Sequence, residues 1–288
     1  MLLAQLSCSL RCSRRGAVAG TVSNAFLSRR SWAVDRSLVD DAQGRLVVDR
    51  QKAAAGLADP LAEPEGAFAT IAAALAVAPS GATVVIRPGL YSEKIVVQRP
   101  VKMLADPGVT LVWKSDSPYE AALTVALEGG TPDSDARDAS VLISGLRVSH
   151  YSPSIAQNYG VYVPQPLAAW DRCQIRLQEC EITSNSGSGI GVEGGEVVVD
   201  SCRVVDCKNH GIVYVGSTAR GSVQGSVAEK NKLNGLLLRD GASPSIANNT
   251  LRSNGRYGAE LFDCRATLGP NYVAQNGKGS VKGECDDD

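Results

Sequence analysis

The chain has 288 residues, a formal net charge of −1 and 5% aromatic residues, with 29 Gly against 3 Phe and 2 Met. Near-neutral charge supplies no field for nucleic acid or an anionic membrane surface, and no apolar run approaches the ~20 residues a membrane span needs. So few large side chains argue against a conventional globular core, and so many glycines argue for recurrent tight turns.

Residues 1–34 contain Arg11, Arg14, Arg15, Arg29 and Arg30, frequent Ser, and no acid before Asp35. This composition reads as an organellar transit peptide, since the early arginines cut the apolar start too short for a secretory signal. Arg29-Arg30 ahead of Ser31-Trp32-Ala33 leans to mitochondrial processing, with a plastid target the alternative. Residues 35–62 show no period and read as a linker, placing the folded domain at 63–288.

Over 66–78, Phe68, Ile71, Leu75 and Ala78 recur at helical spacing in an Ala-rich segment that Pro79-Ser80-Gly81 stops. An amphipathic helix here would cover the first open rung of a solenoid. Apolar segments follow at Thr83–Ile86, Ile95–Val97 and Val101–Leu104, punctuated by Arg87-Pro88-Gly89 and Arg99-Pro100.

From residue 141 the chain repeats. Gly followed by alternating aliphatics recurs at Gly160, Gly189, Gly211, Gly235, Gly258 and, worn, at Gly279, at intervals of 29, 22, 24, 23 and 21. A second apolar set keeps register upstream: Ile175, Leu177, Cys180 and Ile182 before Gly189, then Val197, Val199, Cys202 and Val204 at the same offsets before Gly211. Period-2 alternation marks half-buried strands, and the step of three between Leu177 and Cys180 marks a turn. An Asn stands in each coil (Asn158, Asn185, Asn209, Asn231 with Asn234, Asn254, Asn276), which predicts a hydrogen-bonded ladder along the axis. The fold expected is all-β, a single-stranded right-handed parallel β-helix with an N-terminal capping α-helix.

Residues Phe68, Ile71, Leu75, Pro79, Gly81, Val84–Ile86, Pro88-Gly89, Tyr91 and Glu93 together resemble the opening of the pectin-lyase-like β-helix superfamily. Pectin methylesterases share it with the parallel-β-helix-repeat proteins, which include nitrous-oxide-reductase maturation proteins and the β-helix F-box proteins. Arg99-Pro-Val-Lys-Met-Leu104 before Asp106-Pro107-Gly108 is closer to the repeat branch. The resemblance covers about residues 66–285; it implies fold and leaves activity open.

The family's enzymatic signatures are missing. Gln157-Asn-Tyr-Gly-Val stands where a pectin methylesterase carries Gln-Ala-Val, and no Gln-Asp-Thr or Asp-Phe-Ile-Phe-Gly follows. Only Asp240 and Asp263 share a row, as turn residues do; His150 and His210 have no acidic partner in register and read as surface or turn residues. The 8 Cys (Cys8, Cys12, Cys173, Cys180, Cys202, Cys207, Cys264, Cys285) include no CxxC pair and make no zinc-finger set with the 2 His. They read mostly as reduced core residues, Cys180 over Cys202. No catalytic residue, metal or cofactor is assigned.

If the residues one and three after each Gly face the core, the residue between faces out, in a column of Tyr162, Gly191, Val213, Leu237, Glu260 and Val281. An apolar exposed column suggests a covered surface. The extra loop 164–172 beside it carries Trp170 and Arg172, residue types that anchor interfaces, unless the loop folds back over Tyr162. The expected function is a non-catalytic β-helix scaffold docking a protein partner through Tyr162, Trp170, Arg172, Val213, Leu237 and Glu260. Carbohydrate binding or a divergent polysaccharide esterase or lyase is the alternative.

Overall fold

A computed structural model describes residues 45–51, 53–54, 67–128, 139–154, 157–166 and 170–285. The transit-peptide reading of 1–34 lies outside them. Short strands pair in parallel into three sheets of 9, 8 and 8 strands, each strand bonded to its equivalent in the neighbouring rung. A typical rung runs Gln174–Gln178 in the first sheet, Glu181–Ser184 in the second and Ser188–Val192 in the third. Val161, Ile190, Ile212, Leu236 and Ala259 stand in one register column and are all buried. One rung cannot bury its own apolar side; stacking joins the columns into one core.

The linker expectation is corrected at Leu46–Val48. This buried strand pairs with Val84–Ile86 at the edge of the first sheet. Three apolar residues without alternation carry no periodic signal, so only the partner strand reveals them. The cap helix runs Ile71–Val77, shorter than 66–78, because Phe68 bridges in parallel to Val48 and Thr70 serves as N-cap. Glu93 receives the backbone N–H groups of Ile71 and Ala72, both at 2.9 Å, satisfying donors that a helix start leaves unpaired.

Single residues in the left-handed region turn the chain between sheets. Glu179, Ser201, Gly225 and Asn248 (φ 53, 52, 59 and 58°) make the first corner in successive coils; Asp206, Lys230 and Ser253 (φ 55, 58 and 55°) make the second. Inside those corners run two polar columns. One consists of Cys180, Cys202, Ser226, Asn249 and Asn271; Ser226 N–H donates to Asn249 Oδ1 (2.9 Å), and Asn249 Nδ2 to Asn271 Oδ1 (3.0 Å). The other consists of His150, Ser184, Cys207, Asn231, Asn254 and Asn276. There Asn231 Nδ2 donates to Asn254 Oδ1 and Asn254 Nδ2 to Asn276 Oδ1, both at 3.0 Å.

The expected ladder therefore exists for Asn231, Asn254 and Asn276, while Asn158, Asn185, Asn209 and Asn234 stand outside it. The recurrent glycines make room for it: a Cβ on Gly235 would come within 2.8 Å of Asn254 Nδ2 and of Gly258 O.

Two further corrections concern the last rung. Glu260 pairs with Lys282 and Ala259 with Val281, so Lys282 and not Val281 continues the outward column. Gly279 stands one place ahead of the repeat position. Cys264 and Cys285, 21 residues apart, form a disulfide with Cα atoms 4.6 Å apart, because one rung of separation brings them to the same corner. Cys173, Cys180, Cys202 and Cys207 are free and buried.

Candidate functional site

The outer surface of the third sheet is ordered by register: Val96, Thr124, Tyr162, Gly191, Val213, Leu237, Glu260, Lys282. Six rungs pass before a charge appears. Tyr159 leans over the next rung, where Gly191 leaves space; a Cβ on Gly191 would lie 2.2 Å from the Tyr159 ring. The Tyr159 and Tyr162 rings stack with centroids 5.1 Å apart and planes 9° apart, close to the rung spacing. Tyr162 Oη donates to Glu193 Oε2 at 2.6 Å. Burial pushes the Tyr159 phenol up to about 12; burial, then the bond to Glu193, raises that of Tyr162. Both phenols stay neutral donors across the physiological range.

At the C-terminal end of the stripe Glu260 receives Lys282 Nζ (2.7 Å) on one oxygen and Asn234 Nδ2 (2.6 Å) on the other. The Lys282 bond, then that of Asn234, holds its carboxyl below the usual range against the opposing effect of burial. His210 Nδ1 accepts from Asn234 N–H at 3.4 Å, and burial lowers its pKa to about 4. The imidazole is neutral at pH 7. Both Glu260 oxygens are engaged, which leaves this cluster poorly placed as an acid–base pair.

The other predicted residues are dispersed. Leu237 and Tyr162 are half-buried in the stripe; Val213, at 6% exposure, is covered by its neighbours and is not the open apolar surface expected of it. Trp170 is corrected more sharply: only 8% exposed, it belongs to the core cluster. It lines a cavity of about 200 Å³ with Leu127, Val163, Pro164, Pro166 and Cys173. A Trp without a repeat row is thus a wall residue at the corner between the third and first sheets. Arg172 beside it is exposed.

Asp240 and Asp263 occupy left-handed turn positions, and Asp240 pairs with Arg239 next to it at 2.9 Å. His150 is corrected from surface to fully buried. Its Nδ1 lies 3.4 Å from Ser184 Oγ and 3.3 Å from Ser186 Oγ, and its Nε2 has no hydrogen-bond partner among the described residues. A serine–histidine contact closed to solvent offers no route to a substrate.

Sequence reading missed the ion ladder on the second sheet. Arg147 pairs with Glu181, Glu181 with Arg203, Arg203 with Glu229 and Glu229 with Arg252, at 3.3, 3.8, 2.6 and 2.7 Å. Arg203, then Arg252, lowers the pKa of the nearly buried Glu229. The first sheet is polar too: Arg176 pairs with Asp200 and Arg220 with Asp171, each at 3.1 Å, and Gln174 Nε2 donates to Glu196. Alternating Arg and Glu about one rung apart was the signal available. Among the described residues, no three His, Cys, Asp or Glu gather in a metal-binding arrangement.

A three-sided parallel solenoid with two charged faces and one apolar stripe is the class these residues define. Residues 136–285 match the family model of the right handed beta helix region, and the chain belongs to that family. No curated protein matches the sequence. Among solved structures it is similar to the pectin methylesterase from Aspergillus niger, with 14% identity, 80% of this chain and 87% of that chain covered, and a TM-score of 0.45.

Proposed function

We propose that the protein is a non-catalytic β-helix scaffold that docks a protein partner through the outer face of the third sheet, with Arg172 and the 164–172 loop at its margin. One observation carries this reading: Tyr162, Gly191, Val213 and Leu237 form an uncharged column through the four rungs in which the second sheet stacks Arg147, Glu181, Arg203 and Glu229, and Thr124 and Val96 extend it into two earlier rungs. An apolar stripe flanked by charged faces has the composition of an interface core within a polar rim. Organellar delivery through residues 1–34 belongs to the same proposal; fusing residues 1–40 to a fluorescent protein tests it, and a diffuse cytosolic signal would end it.

The docking test is comparative. Leu237→Arg should remove the co-purifying partner seen with the unchanged protein, while Thr183→Arg on the second sheet keeps it and both retain the β circular-dichroism spectrum. An unchanged set of bound proteins with Leu237→Arg overturns the proposal. Turnover or tight binding of polyuronides by the purified protein would replace it with the carbohydrate reading.

A further inference from the structure

The two ends of the solenoid are built differently. At the N-terminal end the cap helix packs on Leu46–Val48, Thr83–Ile86 and Ile95–Val97, with Phe68, Ile71 and Ala74 buried beneath it. At the C-terminal end Thr267–Leu268, Tyr272–Ala274 and Gly279–Lys282 are the last strands of their three sheets, with no further strand on their outer side among the described residues. Core columns run out into the open there. Leu268 continues the column of the buried Ile246 and Val281 that of the buried Ala259, yet they are 45% and 48% exposed. Tyr272 and Phe262 beside them are 62% and 66% exposed. These three edge strands contain no proline, and Lys282 is their one charged residue. The protection these edges keep is their shortness, 2, 3 and 4 residues, together with Lys282.

We propose that this terminal rung is the self-association surface of the protein, covered by the same rung of a second copy in a two-fold, tail-to-tail dimer. Three features select that occupant. Three exposed strand edges present alternating N–H and C=O groups, and another strand edge matches that pattern directly. The cap helix blocks the opposite end, so a head-to-tail stack is closed off; the available match is the same rung turned over, with its strands running antiparallel, which gives a closed dimer and no fibre. The size is also right. Stable interfaces engage about 20–30 residues a side, and the closing rung, residues 264–285, supplies at most 22, at the lower end of that range. Its disulfide pins the rung to the one below and so lowers the cost of ordering an edge before it docks. This surface is distinct from the third-sheet stripe and stands or falls separately from the docking proposal.

Analytical ultracentrifugation of the full chain between roughly 1 and 100 µM should show a species of about 60 kDa, twice the 30.1 kDa chain. The paired substitution Leu268→Lys with Val281→Lys places like charges across the two-fold and should weaken dimerisation about 100-fold or more. Hydrogen exchange guards against a misfolded variant. In the unchanged protein those amides of 267–268, 272–274 and 279–282 that do not already donate to the rung below, as Tyr272 N–H does to Asn249 O, should exchange slowly when concentrated and rapidly when dilute. A 30.1 kDa species throughout the range overturns the proposal. So does a dimer that withstands the lysines with its fold intact, or protection of this edge that persists in a monomer, which would mean the chain covers it itself.

Discussion

Asn254→Ala tests whether the inner ladder is a structural member or a coincidence of loop composition. Asn254 Oδ1 accepts the backbone N–H of Asn231 at 3.1 Å and its Nδ2 at 3.0 Å, while Asn254 Nδ2 donates to Ala228 O at 3.0 Å. Alanine removes these three bonds and the one from Asn254 Nδ2 to Asn276 Oδ1, and the site is buried, so water cannot replace them freely; Asn276 Oδ1 keeps the backbone N–H of residue 254. Asn231 Nδ2 keeps a bond to Val204 O at 3.3 Å, whereas the Asn231 N–H loses its partner. Leaving a buried donor or acceptor unpaired costs about 1–3 kcal/mol, so two affected groups put the loss at roughly 2–6 kcal/mol, comparable to a Leu→Ala change in a packed core. Asn209 looks equivalent in sequence but stands outside the column, so Asn209→Ala should cost under about 0.5 kcal/mol. Guanidinium unfolding followed by circular dichroism gives both numbers, and hydrogen exchange of 228–231 and 250–254 reports local opening. Equal costs for the two alanines, or less than about 1 kcal/mol for Asn254→Ala, would refute the ladder argument.

Gly191→Ala should be tolerated with loss of the stacked tyrosine signal in near-UV circular dichroism, since the three atoms nearest its Cβ all belong to the Tyr159 side chain, which can turn away. Gly221→Ala should unfold the middle rungs, because φ is +121° and the Cβ would fall 2.0 Å from Val197 O. Acid should destabilise the fold in two stages. Burial lowers His210 from 6.5 to about 4, so its contribution is complete above pH 6.5 and is lost as pH falls toward 4. The loss is no more than about 3 kcal/mol. His150 shifts in the same direction. Glu229 and Glu260, held below 4.5 by Arg203 and by Lys282 respectively, add a loss at lower pH. His210→Gln should shrink the first stage of a pH–stability curve to the part due to His150 and leave the second; an unchanged first stage would contradict the assignment. Replacing Cys264 and Cys285 by Ser should cost up to about 3 kcal/mol, read as faster hydrogen exchange confined to 265–285, and equal exchange in both proteins would show that the bond restrains nothing.

Period and phase were legible wherever several rungs repeat the same residue type. Gly160, Gly189, Gly211, Gly235 and Gly258 fall where a Cβ would strike the ladder, the core or the next rung, and the aliphatics after them alternate because every second side chain faces inward. The Asn249–Asn271 ladder escaped notice because its column reads Cys, Cys, Ser, Asn, Asn, a series of small polar groups that no single-residue pattern detects. Asn158, Asn185 and Asn209 lie near the corner in sequence and off the column in space, a distinction set by one or two residues of loop length. Val281 and Lys282 exchanged places for a similar reason: the interval to Gly279 is one short, and a one-residue slip moves each side chain to the opposite face. Trp170, Leu46–Val48 and the disulfide depend on contacts across rungs that local periodicity does not encode.

Stacking constrains a solenoid unequally. Inward positions must fill a column and corner positions must bond upward and downward, so neither is free to vary with function. Outward positions need only pair with the rungs above and below, and a charged pair or an apolar pair meets that need about equally well, at roughly 0.2–1 kcal/mol. Stability therefore does not choose between Arg147–Glu181–Arg203 on one face and Tyr162–Val213–Leu237 on another. Solvent does. The charged ladder keeps its water, whereas the apolar column, though Val213 is covered, leaves carbon of Val96, Tyr162 and Leu237 partly exposed, which folding alone does not require. The same reasoning applies to Leu268, Tyr272 and Val281 at the open end, where the repeat stops and its core does not. In both places the outward chemistry is explained by what would cover it, and the two surfaces point in different directions: one across the axis toward a partner, the other along it toward a second copy.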